Sequence, residues 1–549
     1  MPNKHKQLLF FIFIFSMLLL VAGGSWAQTA DKQDEETPHI QVDTFIIEGV
    51  GEHSQQGINP AHIAQLVEDK RRQAGGLFTL EGLRDITRAI TRRYRSAGFL
   101  LARAYVPEQT VDNHTVRIRV VEGRLQAVQP EGFTLYRKGQ LQALFADLVD
   151  QPVQIEHIES RLLFLNDYPG FSGFSVFRPG EAPGSAVLIL SAREERPLEI
   201  SLASDNYGSS FTGRYRALLD VALNNPLRAA DRFELTLLQS LDPLNSRYGA
   251  VRYQRPLGAP GQTLGLAYSK NSFQVGDYLA ELEIAGNSYI GNIFFNKHWI
   301  RKRQQNLSTR LDFSRKSASN RQADDTFGQD ELAVLSLSGQ YSFVDAAYHG
   351  FNRITLTLAR GIAGVLGAMD RQGDGRSSRI GNNNQRAGGE FSKWTLQLFR
   401  QQPLDFYESL KNQTLSLRLR LQYSKDLLTS LEQMLLGGPH GVRAYPISQA
   451  QVDTGYIVSL EWQVHTAGQI SSWLDRLQVS SFLDYGQGWL NAPLANETAR
   501  TQLVGLGVGA AALIRHDFNA RLDIATPLGG TAADGGDAYQ LFFNLRYAF

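Results

Sequence analysis

The chain ends on a strand that is apolar on one side only. Tyr539, Leu541, Phe543, Leu545, Tyr547 and Phe549 alternate with Gln540, Phe542, Asn544, Arg546 and Ala548, and the final residue is itself aromatic. A period of two puts the first set on one face of a strand and most of the polar set on the other. A half-buried strand of a soluble sheet can use such a pattern, but seldom ends on so much bare aromatic surface. The closing strand of a membrane β-barrel does, because one face meets lipid and the other a wet lumen.

The same texture fills the second half of the chain. Over Thr414 to Tyr423, Leu415, Leu417, Leu419 and Leu421 alternate with Ser416, Arg418, Arg420 and Gln422. Arginine opposite leucine at every other position does not suit a dry core, where an unpaired charge is prohibitively costly. It suits a wall with lipid outside and water inside. Ile354, Leu356 and Leu358 against Thr355 and Thr357 repeat the theme, Trp394 to Arg400 forms another strand, and Gly367 to Gly389 is a long Gly-rich loop. The 353 residues from 197 to 549 hold about 16 strands at roughly 22 residues per strand and connection. A soluble multi-sheet protein is the alternative.

At the other end, Lys4 and Lys6 precede an apolar run from Leu8 to Ala22, and Ser25-Trp26-Ala27 supplies small residues for cleavage after Ala27. This predicts a secretory signal. An uncleaved anchor is the alternative, although the run is shorter than the roughly 20 residues a spanning helix needs. No later stretch is long and apolar enough for a membrane helix, so membrane residence requires a closed barrel. The absence of cysteine is compatible with an oxidising periplasm. A net charge of +1 gives no reason to expect a nucleic-acid partner.

Enzyme chemistry finds little support. The histidines form no HExxH pattern. Gly505-Leu506-Gly507-Val508-Gly509 lacks the strand-to-helix setting of a nucleotide loop and reads as small residues in a barrel wall. Asp370, Gln372, Asp374 and Gly375 imitate the start of a calcium loop, but its twelfth position is Gly381 and not the bidentate Glu. No catalytic residue, cofactor or metal is expected.

Between the signal and the barrel the periodicity is mixed. A polar tail covers residues 28–39. There follow a strand at Gln41 to Glu48, helices near Pro60 to Arg72 and Leu80 to Ser96, and strands at Leu100 to Pro107 and Val116 to Glu122. In the second helix Leu80, Leu83, Ile90 and Tyr94, with Ile86 or Thr87 between them, recur at helical spacing behind a Thr79 cap, and Gly98 ends it. The pattern repeats as a strand at Leu125 to Val128, helices at Lys138 to Leu148 and Ile155 to Asn166, and strands at Gly173 to Phe177 and Ala186 to Arg193. The predicted organisation is signal 1–27, tail 28–39, small α+β domains 40–124 and 125–196, and barrel 197–549.

Several local motifs extend the argument: Arg95-Ser96-Ala97-Gly98-Phe99, Ala104-Tyr105-Val106-Pro107-Glu108-Gln109, Val121-Glu122-Gly123-Arg124 and Leu165-Asn166-Asp167-Tyr168-Pro169-Gly170. With these, the chain resembles the TpsB outer-membrane transporters of two-partner secretion, which export haemolysins and filamentous adhesins. The resemblance implies a membrane β-barrel of about 16 antiparallel strands preceded by two periplasmic POTRA domains. It also implies a large unfolded exoprotein as partner, received by the POTRA domains and folding progressively at the cell surface. Outer-membrane lipid surrounds the barrel, and barrel-assembly machinery acts during biogenesis, with Tyr539, Leu541, Phe543, Leu545, Tyr547 and Phe549 as the assembly signal.

Gly441-Val442-Arg443-Ala444-Tyr445 resembles the family's Val-Arg-Gly-Tyr motif, at the tip of a loop that folds into the lumen. Phe482-Leu483-Asp484-Tyr485-Gly486 resembles the barrel-wall motif that faces it. The resemblance implies a lock in which Gly441, Val442, Arg443 and Tyr445 meet Phe482, Asp484 and Gly486, with Arg443 paired to Asp484. Alternation along the strand independently turns Phe482, Asp484 and Gly486 to one face. Ala444 departs from the family's Gly, which argues against a backbone shape open only to glycine. The interval 28–39, poor in apolar residues and holding Pro38, is too slight for the long plug helix of some relatives. The loop around Arg443 is then the main obstruction, displaced to let cargo pass. Arg84, Arg88, Arg92 and Arg95 share a helical stripe with Arg93 beside it, either a solvated face or a surface that steers cargo or touches lipid headgroups. A barrel-assembly insertase of the same superfamily and a passive porin or receptor are the alternative functions.

Overall fold

A computed structural model describes residues 39–549 except 374, 448, 467–470 and 530–537. The expected signal and the tail up to residue 38 lie outside the described residues, as does Asp374 of the calcium-like motif. The chain divides into two compact units, one built from the residues up to Arg93 with Arg103–Val120, the other from Tyr94–Ala102 and Val121–Phe549.

The first unit contains β1 (Ile40–Gln41), β2 (Thr44–Glu48), α1 (Pro60–Gln73) and β3 (Leu77–Phe78), most of α2 (Leu80–Ser96), then β4 (Arg103–Tyr105) and nearly all of β5 (Thr115–Val121). Asn59 caps α1 by accepting from His62 N–H at 2.8 Å, with Pro60 pre-set in the first turn. Thr79 Oγ1 accepts from Gly82 N–H at 3.1 Å at the start of α2. β5 lies between β2, which it meets in parallel, and β4. Its Val116, Ile118 and Val120 are buried with Ile63, Val67, Leu83, Ile86 and Ile90, while Arg117 and Arg119 point to solvent. Leu80, expected on the buried stripe, is exposed: it opens the helix ahead of the packed turns. β4 is shorter than the strand expected over Leu100 to Pro107, because the chain turns first through Ala102 N–H to Phe99 O, at 3.1 Å.

The second unit begins its regular structure with β6 (Arg124–Glu131), α3 (Lys138–Ala143), α4 (Ile155–Asn166), β7 (Phe171–Pro179) and β8 (Ser185–Glu195). The sheet order is β6-β8-β7, with β6 parallel to β8, so the first unit's strand-helix-helix-strand-strand plan recurs. α3 stops at Ala143, short of the expected Leu148, and a 3-10 turn over Ala146–Leu148 follows. The break lets both Leu144 and Phe145 bury in the core with Leu141, Ile158, Leu165, Leu188 and Leu190.

The chain then forms β9 (Leu198–Asp205), β10 (Tyr215–Asn224), β11 (Arg232–Asp242), β12 (Ser246–Pro256), β13 (Gln262–Gln274), β14 (Ile284–Arg301), β15 (Gln305–Gln322) and β16 (Asp325–Val344). It continues through β17 (Phe351–Gly361), β18 (Phe391–Pro403), β19 (Gln413–Ser424), a short β20 (Met434–Leu435) and β21 (Gln451–Val452), β22 (Thr454–His465) and β23 (Leu474–Trp489). β24 (Arg500–Ile514), β25 (Phe518–Gly529) and β26 (Gln540–Ala548) complete the chain. Among the described residues, sixteen of these close an antiparallel barrel; β20 and β21 form a separate ladder inside the loop between β19 and β22. The ring shuts where β26 meets β9, from Asn544 against Asp205 to Ala548 against Ser201. Alternation works as the sequence predicts: on β19, Leu417 is exposed outward while Ser416 and Gln422 are buried inside. No described helix is long and apolar enough to cross a membrane.

The small domain of the second unit is docked on one end of the barrel. Asp167 takes Arg301 Nε at 2.7 Å and Nη2 at 2.5 Å, Lys302 reaches Glu156 at 3.1 Å, and Arg303 reaches Glu159 at 3.0 Å. Ala230, from the turn between β10 and β11, is buried in the small domain's own apolar cluster. The turns at this proximal end are short. The long connections, residues 362–390 and 425–453, leave from the distal end.

Candidate functional site

The loop of residues 425–453 turns back into the barrel and carries its own small core. Leu436, Val442 and Tyr445 are fully buried with Met434, Val452, Ile457 and Phe482. Two glycines make the tip possible. A side chain at Gly441 would stand 2.2 Å from Leu436 O, and Gly438 has a φ of +92° while its N–H donates to Tyr445 O at 2.9 Å.

Arg443 is the polar centre of this tip. Its Nε and Nη2 donate to Asp484 Oδ2 and Oδ1 at 2.8 and 2.9 Å, and its backbone N–H reaches the same carboxylate at 3.1 Å. Nη1 donates to Glu461 Oε2 at 3.1 Å and Nη2 to Ser459 Oγ at 3.1 Å. The guanidinium lies over the Phe482 ring, 3.3 Å from its centroid. The Arg443 side chain is 4% exposed and that of Asp484 0%. Such burial is tolerable because the fork matches the carboxylate and Glu461 and Ser459 each take a further donor.

The carboxylates are themselves tethered to the wall. Arg521 Nε meets Asp523 Oδ2 at 2.7 Å and its Nη2 meets Glu461 Oε1 at 3.4 Å, with Arg418 3.8 Å from Glu461. Tyr445 Oη donates to the Gly529 and Val504 carbonyls, tying the tip to β25 and β24. The seat therefore spans β22 to β25.

Phe482, Asp484 and Gly486 all face the loop, as their alternation requires, and a side chain at Gly486 would stand 2.8 Å from Val442 Cγ2. Ala444 is 1% exposed, outside the residues of positive φ. Its methyl group fits because the opposing wall residue is Gly505, where a Cβ would come within 2.6 Å of it. Gly507 likewise leaves room for the Phe482 ring, and Gly509 for Asp523. The Gly505-Leu506-Gly507-Val508-Gly509 run is thus the floor of the seat.

Sequence reasoning missed Ser459, Glu461, Arg521 and Asp523. The signal for Glu461 was present: Ser459, Glu461 and Gln463 alternate with Leu460, Trp462 and Val464 on β22, which turns a carboxylate inward. Arg84, Arg88, Arg92 and Arg95 of α2 are all exposed, and Arg84 and Arg88 pair with Glu81 and Asp85. Those interleaved acids dilute the stripe's positive field. On the terminal strand Tyr539, Leu545, Tyr547 and Phe549 are exposed, whereas Gln540 and Phe542 are buried inside.

A closed barrel with an inward loop and small domains of POTRA type defines an outer-membrane protein transporter, its POTRA domains in the periplasm. The chain belongs to the family described as "Haemolysin secretion/activation protein ShlB/FhaC/HecB", whose profile matches residues 184–512, with "POTRA domain, ShlB-type" matching residues 47–123. It is an outer-membrane transporter of two-partner secretion. Over 528 residues it is 22% identical to the "Heme/hemopexin transporter protein HuxB" of Haemophilus influenzae strain 86-028NP, covering 94% of this chain and 88% of that protein. It is 24% identical to the "Outer membrane transporter CdiB" of Escherichia coli O6:K15:H31, over 82% of this chain and 74% of the relative. The solved structure of CdiB from Escherichia coli shares the fold, with a TM-score of 0.73 at 20% identity, covering 99% of this chain and 97% of that one.

Proposed function

We propose that the Arg443 seat holds the lumen loop in the position that sets the passage for a large exoprotein, delivered unfolded to the POTRA domains. The observation that carries this reading is the guanidinium clasped by Asp484 and Glu461 inside the lumen, which fixes the tip of the loop to the barrel wall. The outer edge of β7 supports the first step. It ends its sheet, it exposes Phe174 and Val176, and an extended segment could add to it through backbone hydrogen bonds. The exposed arginines of α2 add a weaker steering surface.

No nucleotide is needed if folding outside the cell drives export, since each folded repeat opposes return. The terminal strand's aromatic face, turned to outer-membrane lipid, is the segment the barrel-assembly machinery receives. Arg443→Ala and Asp484→Ala are expected to lower export of the partner at least about tenfold, because removing one member of a buried pair costs roughly 3–5 kcal/mol. Both barrels should still insert, as heat-modifiable migration would report. Wild-type export by both variants would remove the seat from the mechanism.

A further inference from the structure

Two more carboxylates of the lumen loop are buried, away from the Arg443 seat. Glu432, with its side chain 3% exposed, takes Lys316 Nζ of β15 and Lys393 Nζ of β18, each at 2.6 Å. Its carbonyl accepts from Gln422 Nε2 at 3.0 Å. Asp453, 0% exposed, accepts from Arg379 Nη1 and Nη2 at 2.7 and 2.9 Å and from the Leu428 and Asn491 N–H groups at 3.1 and 2.7 Å. Arg379 belongs to the other long distal connection, residues 362–390. Met369 of that connection and Leu428 of the lumen loop share a buried cluster with Leu332, Val334 and Phe391.

These contacts fasten the rising arm of the lumen loop, residues 425–433, to β15, β16 and β18 near the outer mouth. The Arg443 seat lies deeper and on a different sector, β22 to β25. Below the outer fastening, the inner face of β16 to β18 presents Ser336, Ser338, Thr355, Thr357, Thr395 and Gln397. Their outward neighbours Leu335, Leu337, Leu356, Leu358 and Trp394 are exposed to lipid. A cavity of about 290 Å³ separates Thr355 and Gln397 of this wall from His440 and Gly441 at the loop tip. Arg353, Arg418 and Arg420 line the same cavity, so a passing backbone meets hydroxyls and amides that offer exchangeable hydrogen bonds with guanidinium groups beside them.

We propose that Glu432 and Asp453 bolt a second, outer gate, and that the exported chain leaves through it along the β16 to β18 wall while the Arg443 tip stays seated. The proposal rests on the transport reading above, but its gate can be tested without cargo. The probes are potassium chloride conductance in planar bilayers and vancomycin sensitivity of expressing cells. Glu432→Gln and Arg379→Gln should each raise the frequency of open events about tenfold, as a closed state losing a buried ion pair would. Because the chain has no cysteine, Met369→Cys with Leu428→Cys can be joined by a short thiol cross-linker that pins the arm to the outer loop.

Arg443→Ala alone should open the pore, and the same variant with the tether in place should stay shut. If the tethered Arg443→Ala barrel conducts as freely as the untethered one, or if inserted Glu432→Gln and Arg379→Gln barrels open no more often than wild type, the outer gate does not exist. Those outcomes leave the transport reading standing; loss of export with a normal gate would do the reverse.

Discussion

Arg443 meets its partners across residues that differ in how much freedom they leave. Asp484 accepts from side chain and backbone of the same arginine, which fixes both the guanidinium and the chain direction at the tip. Lysine at 443 would keep the charge but lose the fork. The floor is stricter still. A side chain at Gly505 would enter the space of the Ala444 methyl group, since even a Cβ comes within 2.6 Å of it. Gly505→Leu should therefore push the tip from its seat at a cost of roughly 1–3 kcal/mol. Ala444→Gly should leave the seat intact. Comparing the two by conductance separates packing from charge: open events should rise in Gly505→Leu and stay at the wild-type level in Ala444→Gly.

Strands declared themselves through period two, because one face of each meets lipid and the other water. That is why β19 and β26 were legible almost to the residue. The pair Arg443 and Asp484 came into view through motif resemblance and strand alternation. Glu432 with Lys316 and Lys393 did not, because their partnership joins a loop to two strands far apart in sequence and no local pattern encodes it. Helix ends were less legible than strand faces: α3 breaks early to bury Leu144 and Phe145, a tertiary demand that overrides local periodicity.

The small domain docked on the barrel carries a testable consequence of its own packing. Tyr136 donates to Pro169 O, and Tyr168 lies against it with ring centroids 5.4 Å apart. Burial raises both phenols, Tyr168 to about 12. A raised phenol favours the neutral folded form. Its contribution is complete below the unfolded value near 10 and is lost as pH rises through the folded value. Tyrosinate absorbance and intrinsic fluorescence should show this domain loosening between about pH 10 and 12. Tyr168→Phe, which cannot ionise, should move the transition to higher pH; an unchanged transition would exclude Tyr168 as its source.

At the scale of the molecule, closure depends on joining the first and last strands of the barrel. β9 and β26 pair only when nearly the whole chain is present, and until then both present open edges that lipid cannot satisfy. Phe549 lies just past β26, where its N–H donates to Ile200 O at 2.9 Å and its ring meets Tyr547 edge-on. It is 67% exposed, so its ring adds little packing within the finished protein. On the assembly role proposed above, its value lies in being recognised and in reaching the bilayer first. Phe549→Ser should accordingly slow assembly several-fold while the completed barrel unfolds within about 1 kcal/mol of wild type. Pulse-chase appearance of the heat-modifiable form gives the rate, and denaturant unfolding of purified barrels gives the stability. A variant that assembles at the wild-type rate but unfolds easily would instead place the aromatic terminus among the supports of the finished wall.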